Sequence, residues 1–205
     1  MPPEYQSKDY WHARFGHETS FEWLVPSADF LKILDPFLAR LPTTARILQL
    51  GCGTSDIHCL LRQRGYEHIT NMDYEPLAIG RSRDIEHKMF GDSVMSYVVA
   101  DATDFNLGQT RFDLVIDKST ADAVACTGPA PVISMTKAVK RCLAEDGMWL
   151  SLSFSAYRYD HDGMPLSVQV INKIPTPKAK ETDPDIFHYC YLLRPMQSEA
   201  CRRSK

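Results

Sequence analysis

A glycine-rich turn and three aspartates each follow an apolar segment that predicts a β-strand. The turn consists of Gly51, Cys52 and Gly53, and the aspartates are Asp73, Asp101 and Asp117. Glycine lets a backbone approach a ligand closely because it has no Cβ atom. An aspartate about 20 residues beyond such a turn can accept hydrogen bonds from ribose hydroxyls. These positions therefore predict a site for a nucleoside-type ligand.

Each position has an expected role toward such a ligand. Asp73 is expected to bind the ribose and Asp101 the adenine amino group, while Tyr74 can lie along the adenine face. Packing at the rim explains Tyr74 equally well. The third glycine of the dinucleotide pattern GxGxxG is replaced by Asp56, which argues against a bound pyrophosphate and so against NAD.

The segments that position these residues alternate between predicted strands and helices. This alternation indicates an α/β fold, with a mostly parallel sheet and helices on both of its faces. In such a sheet, ligands bind at the edge where the strands end. The strands are predicted at 47–50, 68–72, 95–100, 112–116 and 148–154, and the helices at 27–40, 55–64, 76–88 and 132–143.

The two ends of the chain differ from this core. Two strands at 166–171 and 187–193 have no helix between them, which predicts an antiparallel hairpin at the sheet edge with a mobile, proline-rich loop at 175–184. Residues 1–25 are rich in aromatic side chains, and Ser7 can cap a short helix. They form either a packing arm or a lid over the ligand, and their composition favours packing.

We expect a single domain over residues 1–205 and seven strands in total. Its parts are an N-terminal helical arm and lid at 1–43, a cofactor-binding core at 44–155, and a C-terminal hairpin and tail at 156–205.

Composition excludes several function classes. The 205 residues include 23 basic and 26 acidic side chains, for a formal charge of −3, which gives no reason to expect nucleic-acid binding. No apolar run is long enough to span a membrane, and no secretory signal is visible. The six cysteines include no CxxC pair, so we expect no disulfide framework, no metal site and a reducing compartment, cytoplasm or nucleus. Residues 202–205 read as a solvated tail.

The motif series resembles the class I S-adenosylmethionine-dependent methyltransferases. It consists of residues 48–55, 73–74, 101–102 and 112–118. The resemblance implies a Rossmann-like fold, S-adenosylmethionine as cofactor and S-adenosylhomocysteine as product. It also implies cofactor contacts from Gly51, Cys52, Gly53, Asp73, Tyr74, Asp101, Ala102 and Asp117.

A narrower resemblance is to the methyltransferase-like thirteen group, which methylates lysine in translation elongation factor one-alpha. It rests on residues 10–14, 22–23, 117–123 and 187–192. It implies that Trp11 and Arg14 contact the cofactor, with Arg14 near its methionine carboxylate. If the acceptor is a lysine, Asp117 is the candidate catalytic residue that orients its amine.

Three functions remain open at this point. The first is methylation of a lysine in a protein such as a translation elongation factor. The second is methylation of a small molecule, which the departures from the group at Ser119 and Ala121 favour. The third is a cofactor-binding partner subunit without turnover, for which residues 157–187 would bind the partner. Trp11, Trp23 and Tyr157 are candidates for an aromatic slot around an amine and His188 for a base, and packing explains each at least as well.

Overall fold

The structure is a computed structural model that describes residues 4–196. Within that part of the chain, seven strands form one mixed sheet. They are β1 (Ile47–Leu50), β2 (Ile69–Asp73), β3 (Ser96–Val99), β4 (Phe112–Lys118), β5 (Leu143–Ser153), β6 (Leu166–Pro175) and β7 (Phe187–Pro195).

The strand order is β3-β2-β1-β4-β5-β7-β6. Strands β1 to β5 pair in parallel. Strand β7 runs antiparallel to both β5 and β6. The predicted Rossmann-like sheet with an antiparallel C-terminal hairpin is confirmed, because β6 lies at one edge and β7 lies between it and the core.

Six α-helices and one short 3₁₀ helix lie in the described residues. The α-helices are α1 (Lys8–His17), α2 (Ser27–Leu38), α3 (Ile57–Gln63), α4 (Pro76–Phe90), α5 (Thr120–Val124) and α6 (Pro129–Cys142), and the 3₁₀ turn is Ala125–Thr127. Helix α1 begins after Ser7, whose Oγ accepts a hydrogen bond from the Tyr10 N–H at 3.4 Å. The predicted cap is therefore present.

Two apolar layers cover the two faces of the sheet. On one face, α6 packs Met135 and Val139 into a cluster that contains Trp149 of β5. On the other face, α2 packs Phe30 and Leu34 into a cluster that contains Ile47. The sheet is thus held between helices, and the edge formed by the strand ends stays open for a ligand.

Further structural findings concern residues 4–196 only. The five cysteines in this range are free thiols. No helix in it is apolar over a length that could span a membrane. Cys201 and the tail at 202–205 lie outside the described residues.

Candidate active site

A cavity of about 580 Å³ opens where β1, β2 and β4 end. Its outer wall is the N-terminal arm, which we define as residues 4–25. The volume is in the range of small-molecule and cofactor sites. Nine of the ten residues predicted to contact the cofactor line it, namely Trp11, Gly51, Cys52, Gly53, Asp73, Tyr74, Asp101, Ala102 and Asp117. Arg14 does not.

The turn after β1 needs glycine for two reasons. Gly51 and Gly53 have φ angles of +60° and +51°, in the left-handed region that other residues adopt at a cost. A Cβ atom on Gly51 would also overlap the hydroxyl of Thr120. That hydroxyl donates a hydrogen bond to the Leu50 carbonyl at 2.8 Å. Gly51 therefore allows α5 to pack directly on the turn.

Asp73 links this turn to the start of α4. Its Oδ2 accepts a hydrogen bond from the Gly53 N–H at 3.0 Å, and its Oδ1 accepts one from the Glu75 N–H at 3.0 Å. Asp73 is buried, and burial raises its pKa to about 6, because desolvation disfavours the carboxylate. The carboxylate is thus held at the cavity wall where a ribose is expected.

Gln49 is a cavity residue that the sequence reasoning did not select. It is only 4% exposed and lines the cavity. Its Oε1 is buried without a hydrogen-bond partner among the described residues. Buried polar atoms are normally paired, so a ligand that donates hydrogen bonds, such as the α-ammonium group of S-adenosylmethionine, fits this position.

The predicted adenine side of the cavity contains Tyr74, Asp101 and Ala102. Asp101 is exposed, and its Oδ1 accepts hydrogen bonds from the Thr103 N–H and hydroxyl at 2.8 and 2.7 Å. The Nζ of Lys8 lies 5.6 Å from the centre of the Tyr74 ring. The Asp101 carboxylate is therefore oriented at the rim of the cavity by the loop that contains Thr103.

Asp117 is buried and already bonded within the protein. Its Oδ1 accepts a hydrogen bond from the Ala121 N–H at 3.2 Å, and its Oδ2 accepts one from Trp149 Nε1 at 2.9 Å. Burial raises its pKa to about 6. These bonds suit a residue that fixes the start of α5, and its catalytic role stays a prediction.

Arg14 is bound inside the arm. Its Nε donates to Glu18 Oε2 at 2.6 Å and its Nη1 donates to the Tyr10 hydroxyl at 2.8 Å. The guanidinium carbon lies 4.6 Å from the Phe21 ring centre and 4.7 Å from that of Trp23. The predicted contact with a cofactor carboxylate stays a prediction.

Two glutamates join the arm to the core. Glu18 Oε1 accepts from the Thr54 hydroxyl at 2.8 Å. Glu22, which is partly exposed, forms an ion pair with the buried side chain of Lys118. Burial lowers the pKa of Lys118, and Glu22 opposes that shift. Residues 22–23 belong to a motif of the narrower family, but the partner of Glu22 is 96 residues away, and no local pattern reveals such a contact.

Glu22 also accepts hydrogen bonds from elements on either side of the turn. Its Oε1 accepts from the Ser27 hydroxyl at 2.7 Å and from the Asp56 N–H at 3.3 Å. Its Oε2 accepts from the Ser55 hydroxyl at 3.2 Å. One side chain thus connects the arm, α2 and the glycine turn.

The rest of the cavity is available to an acceptor. Phe21 of the arm and Phe154 after β5 both line it, with 42% and 57% of their surface exposed. Ser119, the residue before α5, also lines the cavity and has a left-handed φ of +71°. Asp122 lines this half, but its Oδ1 accepts from Arg158 Nε at 2.8 Å. The acceptor half is therefore largely apolar, and its buried carboxylate already has a partner.

Two other candidates lie outside the lining. Tyr157 is 73% exposed. His188 belongs to β7, is partly buried and has a pKa lowered by desolvation. Neither is placed in the cavity. Within residues 4–196, no three His, Cys, Asp or Glu side chains are grouped to hold a metal ion.

Comparisons with known proteins agree with this arrangement. A family model described as "Methyltransferase domain" matches residues 43–184. Methyltransferase srdJ of Neurospora crassa is 52% identical over 198 residues, which are 94% of this chain and 85% of that protein. The eEF1A lysine and N-terminal methyltransferase homolog of Drosophila melanogaster is 28% identical over 156 residues, which are 73% of this chain and 22% of that protein.

The fold is also similar to that of solved structures. Magnesium protoporphyrin IX methyltransferase from Synechocystis, solved with bound S-adenosylmethionine, superposes with a TM-score of 0.65 at 11% identity. The match covers 95% of this chain and 98% of that one.

Proposed function

The chain belongs to the methyltransferase-domain family and is an S-adenosylmethionine-dependent methyltransferase, and from this premise we propose that it methylates a lysine amine of a protein. The methyl donor supplies an already activated methyl group when bound. The protein must then hold the donor, align the acceptor and exclude water. The cavity under the N-terminal arm is suited to these three tasks.

We assign the donor to the half of the cavity formed by β1 and β2. Asp73 accepts hydrogen bonds from the ribose, and Tyr74 and Asp101 bind the adenine. The orphaned Oε1 of Gln49 accepts from the α-ammonium group. The observation that supports this assignment best is Gln49, since its buried oxygen has no other partner among the described residues.

The largely apolar acceptor half of the cavity favours an acceptor amine that is uncharged when it enters. A lysine amine is nucleophilic only when neutral, and an apolar wall lowers its pKa by removing water. Phe21 and Phe154 provide apolar surface for the lysine methylenes at the mouth. Relatives with 28% identity are named as eEF1A lysine methyltransferases, which supports a protein acceptor. We place the reaction in the cytoplasm.

A small-molecule acceptor is the second candidate. The charged side chains that line the acceptor half are already paired, Lys118 with Glu22 and Asp122 with Arg158. No unpaired carboxylate in the described part of this half is positioned to attract a lysine cation. The 52% identical relative is named only as a methyltransferase, and it does not favour a protein substrate.

Tritiated S-adenosylmethionine and a cell lysate separate these candidates. Label on lysine of a protein band supports the proposal, and label confined to small molecules supports the second candidate. Cofactor binding by calorimetry without any transfer would instead identify a non-catalytic partner subunit. Gly51→Val is the negative control, because it closes the turn and should lose both binding and transfer.

A further inference from the structure

Strand β6 has one side that pairs with nothing in the described part of the chain. It is ten residues long, lies at the sheet edge and is bonded on its other side to β7. In an antiparallel edge strand, every second residue turns its N–H and C=O away from the sheet. Such a row of free groups is a template for another strand.

The two edge strands of the sheet, β3 and β6, differ in length and in how suitable they are for pairing with another strand. Strand β3, at the opposite edge, has only four residues, and short edges limit pairing. In contrast, residues 166–172 of β6 include no charged side chain. Val168 and Val170 point to the same face of the sheet and are 37% and 40% exposed. The β6 edge is thus longer than the β3 edge, and its first seven residues are uncharged and partly apolar.

We propose that β6 pairs antiparallel with β6 of a second copy of this chain, so that two sheets join across a two-fold axis. With the axis at Val168, each Val168 faces the other, and Leu166 faces the partner's Val170. Pairs of branched side chains stabilise neighbouring strands. The register of β6 shifts between Val170 and Asn172, which limits regular pairing to residues 166–170.

The charges that flank this run are complementary in the antiparallel arrangement. Asp160 and Asp162 precede β6, and Lys173 lies near its end; all three are exposed. Antiparallel pairing brings the end of one strand next to the beginning of the other. Each Lys173 then lies near Asp162 of the other copy. Parallel pairing would instead bring the two Lys173 side chains together and the two Asp162 side chains together.

Light scattering after size-exclusion chromatography tests the proposal on the full chain. At about 100 μM protein, the wild type is expected to have the mass of two chains. Val168→Lys places two lysines opposite each other at the axis and should give the mass of one chain. Val94→Lys is the matched control, because Val94 is 51% exposed but precedes the other edge strand, and it should stay dimeric.

A charge swap tests the orientation. Lys173→Asp should raise the dimer dissociation constant at least tenfold, and adding Asp162→Lys should restore it. A monomeric wild type, or a dimer that persists in Val168→Lys, overturns the proposal. Thermal unfolding verifies that each variant is folded, and Val170→Lys replaces Val168→Lys if the latter is not.

Discussion

At the scale of single residues, two buried aspartates lie in the wall of the cavity. Burial raises the pKa of Asp73 and of Asp117 to about 6. A raised carboxylate pKa means that the folded protein binds the proton more tightly than the unfolded chain. Ionisation of these two groups therefore lowers folding stability as the pH rises from about 4 to about 6, and the carboxylates are fully charged only above that range.

Cofactor affinity is expected to fall as the pH drops below about 6, because a protonated Asp73 is a poorer acceptor for ribose hydroxyls. Asp73→Asn should weaken binding by about 10-fold to 150-fold at neutral pH, since a hydrogen bond to a charged group contributes about 1.5–3 kcal/mol. It should also reduce the pH dependence. Calorimetry with S-adenosylhomocysteine between about pH 5 and pH 8 measures both effects.

Asp104→Asn is the control for this comparison. Asp104 lies close to Asp101 in sequence, and its side chain is 93% exposed. It should bind the cofactor like the wild type at every pH. An equal loss of affinity in both variants would contradict a specific role for Asp73.

Ser119→Gly is expected to stabilise the protein by up to about 1 kcal/mol, because a left-handed conformation costs a non-glycine residue about 1–2 kcal/mol and glycine nearly nothing. Ser119 has a φ of +71°. Its hydroxyl donates to Asp122 Oδ2 at 3.2 Å, so Ser119→Ala, which keeps the strain and loses this bond, should be destabilised. Urea unfolding of the three proteins measures the order, and a Gly variant less stable than the Ala variant would contradict it.

At the scale of elements, Glu22 is one of the two glutamates that attach the arm to the core. Glu22→Gln is expected to lower stability by about 2 kcal/mol, because it leaves the buried Lys118 without its counter-charge. The arm should then be cut by protease at lower concentration than in the wild type. Unfolding curves and limited proteolysis test these expectations.

Lys118→Met provides the matched comparison for this pair. Lys118→Met removes the buried charge, whereas Glu22→Gln leaves that charge without a partner. The double variant Glu22→Gln/Lys118→Met should therefore lose less stability than the sum of the losses of the two single variants. Additive losses would show that Glu22 and Lys118 do not interact.

The sequence predicted the long elements better than the short ones. Strands β1 to β4 and helices α2, α4 and α6 have strong apolar patterns, and the structure contains each of them near its predicted range. Helix α5 was missed because five residues are too few to show a helical period. Strand β5 begins at Leu143, earlier than predicted, because Leu143 pairs with Phe112 of β4 ahead of a register shift, and regular pairing resumes at Met148.

In the candidate site, too, some residues could be predicted from the sequence and others could not. Residues at strand ends were predicted from their position after the strands. Glu18, Glu22 and Gln49 were missed as site residues, because their contacts join segments far apart in the chain or depend on a buried atom that lacks a partner. Pattern reasoning finds residues that one element positions, and it does not find those that several elements position together.

At the scale of the whole molecule, ligand binding should raise the melting temperature. S-adenosylhomocysteine at about 100 times its dissociation constant stabilises the folded state by about 2.7 kcal/mol, which corresponds to about 5–10 °C for a chain of this size. NAD should give no shift, because Asp56 replaces the third glycine of the dinucleotide pattern. Differential scanning fluorimetry measures both, and an equal shift with NAD would contradict the assignment of the glycine turn.

Because β7 lies inside the sheet, between β5 and β6, it determines which gene fragments can encode a folded domain. The matched family region ends at residue 184, before the strand that joins β5 to β6. A gene fragment for residues 43–184 would encode β6 with no neighbour to pair with, and a cavity with no arm. The smallest segment that can fold is therefore longer at both ends than the matched family region. Recombination at the borders of that region should yield chains that do not fold.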